Sequence, residues 1–278
     1  MGKQETPVAI DHQQSATNFA KLCEIVARLR APGGCPWDRE QTNESILPQL
    51  IEETYELVEA VRTNDTANFR EELGDLLLHI VMHAEIASEA GRFNIDDVIR
   101  EISEKLVRRH PHVFGTSDAR DTGAVLKQWE AIKRAEKTGG HYLAGLPAAL
   151  PALMRAQKAQ SKVSRVNFDW TDLRDVIAKV EEEFGEAKSA IASLATASPS
   201  GGGQDRKAVE EEIGDLLFAV VNLARKCALD AESVLQRATD KFVLRFNRLE
   251  DELNAQGKKL GDVDLAELDA IWNRIKKP

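Results

Sequence analysis

Carboxylate side chains recur at helical spacing along this chain, and their arrangement could form a metal site. In the first framework Glu53 and Glu56 are three residues apart, as are Glu72 and Asp75. Residues three apart lie on one face of a helix, where like charges repel unless a cation compensates them. Four such carboxylates converging from two antiparallel helices would form a hard-oxygen site. Such a site suits Mg²⁺ or Mn²⁺, which then bind substrate phosphates.

A second framework repeats the first, and its matching acids are Glu183, Glu186, Glu212 and Asp215. Asp215, like Asp75, follows a glycine and precedes a pair of leucines. We therefore expect both aspartates where a helix enters a core, and a buried acid must be paired or coordinated. A single acidic run on a helix is usually a solvated face, but its repetition in the same form favours metal binding.

Two other kinds of metal site fit the sequence less well. A di-iron bundle needs Glu-x-x-His pairs, and the positions three after Glu72 and Glu212 are both Asp. His79 and His83 are four residues apart and could hold zinc on a helix. However, the second framework has alanine and leucine at the matching positions. We predict a packed, structural role for the two histidines.

The two acidic frameworks belong to a longer internal repeat, which indicates a duplicated chain. The matching segments, in chain order, are 51–57 with 180–187, 71–77 with 211–217, 105–109 with 241–245, and 129–133 with 272–276. The sequence therefore predicts an N-terminal repeat at 15–134, a linker at 135–145 and a C-terminal repeat at 146–278. The repeats differ mainly at 198–203, a stretch of Ser, Pro and Gly that predicts a flexible surface insertion.

The elements that must position these acids are predicted to be helices. Only 5% of the 278 residues are aromatic, and β-branched runs bounded by glycines are absent from the sequence. Residues 73–82 are dense enough in apolar side chains to predict a helix buried on most of its surface. Asn94 or Asp96 is expected to cap the next helix, and Pro111 to end it. The predicted fold class is all-α, with two tandem helical-bundle repeats and no significant β-sheet.

Composition and short motifs exclude several classes of protein. The 46 acidic and 37 basic residues give a net charge of -9, which argues against nucleic acid as the main partner. Three cysteines without a Cys-x-x-Cys pair argue against a disulfide framework and indicate a reducing compartment. The sequence shows no apolar signal core, no membrane-length apolar run and no P-loop. We expect a cytoplasmic protein without membrane contact.

Further motifs resemble a known family. They are Gly34-Cys35-Pro36-Trp37-Asp38, residues 108–114 and residues 150–157. Together with the acidic frameworks, they look like the two-domain bacterial MazG family of all-α nucleoside triphosphate pyrophosphohydrolases. The resemblance covers the chain from about Phe19 to Lys276. It implies a homodimer that uses Mg²⁺ to cleave the α–β bond of a nucleoside triphosphate, which gives the monophosphate and pyrophosphate.

The resemblance also implies roles for individual residues, most of them in the C-terminal repeat. The implied metal ligands are Glu183, Glu186, Glu212 and Asp215, and a weaker or structural second site would use Glu53, Glu56, Glu72 and Asp75. Glu182 or Glu211 would take the proton of the attacking water. We expect the C-terminal repeat to carry most of the activity, since its acid clusters are denser.

The remaining implied roles concern the nucleotide. Lys179 lies one turn before Glu183 and is expected to reach a phosphate. Lys241 and Arg245 would present two cations to the polyphosphate tail, and Trp272 would stack on the base. Without the resemblance, the two cations fit a solvated helix edge equally well, and a lone Trp is more often a core anchor.

A non-enzymatic function stays open at this point. Repeated helices with one apolar face often assemble, so the chain could be a metal-stabilised scaffold that dimerises and binds a regulatory partner. Base preference is also open, because a stacking aromatic does not by itself discriminate between bases.

Overall fold

The computed structural model describes residues 10–136, 140–196 and 202–276. Every regular element in these ranges is an α-helix, which confirms the predicted fold class. The chain divides into two compact units, Met1–Thr138 and Gly139–Pro278. The predicted linker spans this boundary, and its residues 137–139 lie outside the described ranges.

The N-terminal unit is built around the hairpin of its third and fourth helices. Its helices are α1 (His12–Arg30), α2 (Pro36–Glu40), α3 (Leu47–Thr63), α4 (Thr66–Glu89), α5 (Ile95–Arg109), α6 (Pro111–Phe114) and α7 (Thr122–Ala135). Asn64 adopts a left-handed conformation (φ 56°) at the end of α3, and the side chain of Asp65 caps the start of α4. This short turn sets α3 and α4 antiparallel.

The C-terminal unit repeats the helical hairpin. Its helices are α8 (Ala152–Ser164), α9 (Leu173–Thr196), α10 (Gly202–Lys226), α11 (Ala231–Ala255) and α12 (Leu265–Lys276), of which α9, α10 and α11 are longer than the corresponding α3, α4 and α5. Helices α9 and α10 pack against each other, and α8 packs on both α10 and α11. The predicted insertion at 198–203 lies mostly outside the described residues, which resume at Gly202.

Helix ends follow the local sequence signals. Asn94 caps α5 and forms a capping box with Asp97, which selects Asn94 over Asp96 as the cap. Helix α5 ends at Arg109, shortly before Pro111, as predicted. The corresponding helix α11 continues to Ala255, because no proline interrupts it.

One expectation about burial is wrong. Val81 and Met82 are buried in the core of the N-terminal unit, together with Val26, Ile46 and Ile86. Leu73, Leu77 and Ile80 on the same helix are 47%, 38% and 48% exposed. Within the described chain, α4 is therefore only partly covered: α3, α1 and α5 pack against it and leave a stripe of apolar side chains exposed. None of the described helices combines the length and apolar character needed to cross a membrane.

Candidate functional site

The two helical hairpins bring acidic side chains together in each unit. In the N-terminal unit, carboxylate oxygens of Glu53, Glu56 and Glu72 lie within 4.8 Å of one another. In the C-terminal unit, the corresponding cluster is formed by Glu183, Glu186 and Glu212. Each cluster takes two carboxylates from one helix of the hairpin and one from the other. Three of the four predicted ligands therefore converge in each repeat.

The fourth predicted ligand of each repeat lies outside its cluster and is less buried than expected. Glu72 is 5% exposed and Glu183 is 7% exposed, so these two are the buried acids. Asp75 is only partly buried and Asp215 is exposed. The prediction that burial falls on the aspartates is wrong, because three helical residues turn the side chain by about 60° relative to Glu72. Glu72 thus faces α3, whereas Asp75 lies at the edge of the hairpin.

The N-terminal cluster concentrates negative charge. Burial raises the pKa of Glu72 to about 6, helped by a hydrogen bond with Glu53 and by the charges of Glu56, Glu53 and Asp75. Oε2 of Glu72 is buried and has no hydrogen-bond partner among the described residues. Three converging carboxylates and an unsatisfied buried oxygen fit a hard divalent cation.

The C-terminal cluster differs because it contains its own cation. Nζ of Lys179 lies 2.7 Å from Oε1 of Glu183 and 2.9 Å from Oε1 of Glu182. These contacts raise the pKa of Lys179 above its usual value. The matching residue of the N-terminal repeat is Gln49, whose buried Oε1 has no partner in the described chain. Among the described residues, a lysine is therefore paired with a buried glutamate in the C-terminal cluster and not in the N-terminal one.

A cavity of about 370 Å³ opens beside the C-terminal cluster. Lys179, Glu183 and Asp215 form part of its wall. Its apolar wall is formed by Leu143, Ala159, Val163, Val176, Phe218 and Ala219. The cavity is within the size range of small-molecule sites, which is about 300–1,000 Å³. The acids and a ligand-sized chamber are thus adjacent in this unit.

The matching place in the N-terminal unit is filled by side chains. Asn222 of α10 lines the C-terminal cavity, and its counterpart in the repeat is Met82 of α4. Met82 is buried against Val26 of α1 and Ile46. Helices α8 and α10 therefore leave a chamber between them in the C-terminal unit. The corresponding helices α1 and α4 enclose a packed core in the N-terminal unit.

The two candidate bases are both exposed side chains near this cluster. Glu182 is held by Lys179, and Oε1 of Glu211 lies 3.6 Å from Nζ of Lys207. Their side chains are 56% and 64% exposed. Both are therefore open to solvent.

The other predicted nucleotide contacts lie on the last two helices. Lys241 and Arg245 are on α11, and Trp272 is on α12. The Trp272 ring lies 5.3 Å from that of Phe242 and packs against the core formed by Leu249, Leu253 and Ile271. Neither Trp272 nor the two cations line the cavity beside Glu183.

The counterpart of Arg245 in the N-terminal unit is Arg109, which forms an ion pair with Glu136. Nη2 of Arg109 donates to Oε2 of Glu136 at 2.5 Å, and Nε of Arg108 donates to Oε1 of the same residue at 2.7 Å. These hydrogen bonds lower the pKa of Glu136 to about 2. Arg109 also lies over the ring of Trp129, 5.5 Å from its centroid.

The two histidines of α4 are partly buried, which lowers the pKa of both. Nδ1 of His83 lies 2.9 Å from the amide nitrogen of Asn43. Neither histidine joins the carboxylate cluster.

Sequence reasoning missed the polar residues of the cavity wall. Gln160 of α8 and Asn222 of α10 are each 5% exposed and line the chamber. A signal for Asn222 was present, since it interrupts an apolar run in which the first repeat has a methionine. Gln160 carried no comparable signal, because an amide on an amphipathic helix is usually exposed.

Comparison of the sequence with known proteins identifies the family and several relatives. The family described as MazG nucleotide pyrophosphohydrolase domain matches residues 41–114 and 172–249. A Thermotoga maritima protein named nucleoside triphosphate pyrophosphohydrolase/pyrophosphatase MazG is 45% identical over 93% of this chain and 95% of its own. The nucleoside triphosphate pyrophosphohydrolase of Escherichia coli K12 is 44% identical over 92% of this chain and 96% of its own. Both hairpins that carry the acids lie within the matched regions.

Proposed function

The chain belongs to the MazG family of nucleotide pyrophosphohydrolases, and from this we propose that it hydrolyses nucleoside triphosphates at the α–β bond. The products are a nucleoside monophosphate and pyrophosphate. The reaction uses Mg²⁺, which Mn²⁺ can replace, and takes place mainly in the C-terminal unit.

One observation carries the choice of unit. The cluster of Glu183, Glu186 and Glu212 shares Glu183 with the wall of a 370 Å³ cavity, and Lys179 contacts the same glutamate. A site for a nucleoside triphosphate needs carboxylates for a metal, a cation for phosphate and a chamber for the nucleoside. All three meet at Glu183.

The three clustered glutamates would hold the metal, with Asp215 at the adjoining cavity wall. When bound, Mg²⁺ supplies charge that offsets the triphosphate and polarises a water. Lys179 can exchange its glutamate partners for a phosphate oxygen, since an ammonium group binds either anion. Glu182 and Glu211 are the exposed carboxylates that can take the proton of the attacking water.

Three differences make the N-terminal unit the weaker site. Gln49 replaces the lysine, so this position supplies no cation for phosphate. Met82 stands where the cavity has an asparagine and packs into the core. Arg109 is bound by Glu136, so an anion would have to displace an internal carboxylate. A bound cation in this unit would serve the fold more than the reaction.

The proposal is tested by mixing the purified protein with each nucleoside triphosphate and Mg²⁺ and measuring pyrophosphate and monophosphate. We expect pyrophosphate and the nucleoside monophosphate to be released in equal amounts. EDTA should abolish their release, and excess Mg²⁺ or Mn²⁺ should restore it. Release of orthophosphate in place of pyrophosphate would contradict the assigned bond. Absence of any product, together with capture of a protein partner, would favour the alternative function, a non-enzymatic scaffold that binds a regulatory partner.

We also propose that the chain forms a homodimer through the exposed apolar face of its hairpins. On α9 this face carries Ile177, Phe184 and Ile191, which are seven residues apart and 41%, 61% and 48% exposed. On α10 it includes Leu217, which is 54% exposed. A heptad-spaced apolar seam on a helix is typical of helix–helix association.

Light scattering after size exclusion should give twice the chain mass for the wild type. Phe184→Glu and Leu217→Glu should lower the measured mass toward that of the monomer, because burying an unpaired charge in the interface destabilises the dimer. The matched control is Leu265→Glu on α12, outside the hairpin, where Leu265 is 79% exposed. A monomeric wild type would rule out the dimer.

A further inference from the structure

Two arginines at the end of α5 converge on one carboxylate of the N-terminal unit. Nε of Arg108 donates to Oε1 of Glu136 at 2.7 Å. Arg109 donates to Oε2 of the same residue through Nε at 3.0 Å and through Nη2 at 2.5 Å. Three N–H groups thus surround two oxygen atoms. Guanidinium groups arranged in this way bind carboxylates and phosphates alike.

The guanidinium of Arg109 is also oriented by an aromatic ring. It lies over Trp129 of α7, 5.5 Å from the ring centroid, and only 17% of the Arg109 side chain is exposed. A stacked guanidinium keeps its N–H groups directed and loses little conformational entropy when an anion binds. The stacking therefore orients one half of this arginine pair without help from Glu136.

The charge of the arginine pair is not balanced by the carboxylate that it holds. The two guanidinium groups carry two positive charges, and Glu136 supplies one negative charge. The hydrogen bonds from both arginines lower the pKa of Glu136 to about 2, so the carboxylate stays ionised at physiological pH. A terminal phosphoryl group carries up to about two negative charges near pH 7 and has three acceptor oxygens. It therefore matches the charge of the arginine pair better than a carboxylate does.

The duplication supplies a second copy of these residues for comparison. Arg245 of α11 and Trp272 of α12 occupy the positions of Arg109 and Trp129 in the repeat. Within residues 140–196 and 202–276, no carboxylate forms an ion pair with Arg245. In the part of the chain that the structure describes, the bound carboxylate is therefore a feature of the N-terminal copy.

We propose that Arg108 and Arg109 form an anion site whose ligand is a phosphate chain, and that Glu136 occupies this site as an internal competitor. A phosphoryl group of the ligand takes the two oxygen positions of the carboxylate, and Glu136 turns to solvent. The site uses none of the clustered glutamates of either unit, so it stands without the proposed reaction. Its ligand could be free pyrophosphate or the phosphates of a nucleoside triphosphate, since both present the same oxygens.

The internal carboxylate determines which anions can bind. A group held within the same unit competes at an effective concentration on the order of millimolar or above. Singly charged anions gain no more from the arginines than Glu136 does, so they are excluded. A phosphate chain gains a second charge and can displace the carboxylate. Removing the charge of Glu136 should therefore raise the affinity for a phosphate chain.

The test compares anion binding by the full chain with and without the competitor. Inorganic pyrophosphate and an α,β-methylene nucleoside triphosphate are titrated by calorimetry in EDTA, which removes metal-dependent binding from the measurement. The first variant is Glu136→Gln, which keeps the shape of the side chain and removes its charge. The second variant adds Arg109→Gln to the first. Thermal unfolding checks each variant, and Glu136→Ala provides a second way to remove the competitor.

We expect Glu136→Gln to bind pyrophosphate about 10-fold more tightly than the wild type, the effect of one charge-assisted hydrogen bond made available to the ligand. Adding Arg109→Gln should abolish this gain. An equal gain for the triphosphate analogue would show that the phosphate chain of either source binds. A gain for pyrophosphate alone would identify the free anion as the ligand.

The matched control is Glu252→Gln, which removes the carboxylate partner of Arg274 in the C-terminal unit. It makes the same change in net charge and should alter the affinity by less than about twofold.

The anion site is wrong if Glu136→Gln leaves the affinity unchanged, if the gain survives Arg109→Gln, or if Glu252→Gln gives an equal gain. A gain confined to the triphosphate analogue would also contradict it, because recognition would then need the nucleoside. Failure of the proposed function is separate from these results, since it appears as wild-type protein that releases no pyrophosphate from any triphosphate.

Discussion

Glu212→Gln is expected to abolish pyrophosphate release, lowering kcat/KM by at least about 10³-fold, which corresponds to about 4 kcal/mol in the barrier. Glu212 is the one carboxylate that α10 contributes to the C-terminal cluster. Glutamine keeps the shape of the side chain but removes the charge that a divalent cation needs. Steady-state pyrophosphate release at saturating Mg²⁺ measures the loss.

The duplicated framework supplies the matched comparison. Glu72→Gln makes the same change at the equivalent position of the N-terminal cluster and should keep at least about half of the activity. Glu210→Gln, an exposed neighbour on α10, should have no effect. Equal losses from Glu212→Gln and Glu72→Gln would overturn the assignment of activity to the C-terminal unit.

Lys179→Gln is expected to change substrate and metal binding in opposite directions. It places in the C-terminal repeat the residue that the N-terminal repeat carries as Gln49. The KM for the triphosphate should rise about 10- to 100-fold, because a charge-assisted hydrogen bond to phosphate is lost. Binding of Mn²⁺ without substrate should tighten, since Nζ no longer competes 2.7 Å from Glu183.

Titration of Mn²⁺ and steady-state kinetics on the same preparation test both halves of this prediction. Lys188→Gln is the control, since Lys188 is an exposed lysine later on α9 and should leave both quantities unchanged. A parallel weakening of metal and substrate would show that Lys179 supports the cluster and does not compete for it.

The repeat, the helices and the acidic frameworks were all predictable from the sequence because each depends on local spacing. Glu53 and Glu56 must share a helix face wherever the helix lies, and the same holds for Glu183 and Glu186. Helix caps are also local, and α5 is capped by Asn94, one of the two residues predicted for that role. These features need three to five neighbouring residues and no knowledge of the packing.

Burial was predicted less well because it depends on how each helix is rotated against its neighbours. The sequence placed the buried charge at Asp75, yet the fold buries Glu72, one turn earlier. The apolar run at 73–82 predicted an enclosed helix, but α1, α3 and α5 together leave a stripe of apolar side chains on α4 exposed. Periodicity gives the faces of a helix, and only the packing decides which face is covered.

The sequence by itself determined that this protein is a duplicated all-α chain with two sets of carboxylates suited to a divalent cation. Only the tertiary structure decided how the two sets differ. One repeat packs Met82 into a core, whereas the other leaves a chamber beside Glu183 and Lys179. The physical reason is that a cavity forms where side chains from distant segments fail to fill the space between helices. Spacing along one helix does not contain that information.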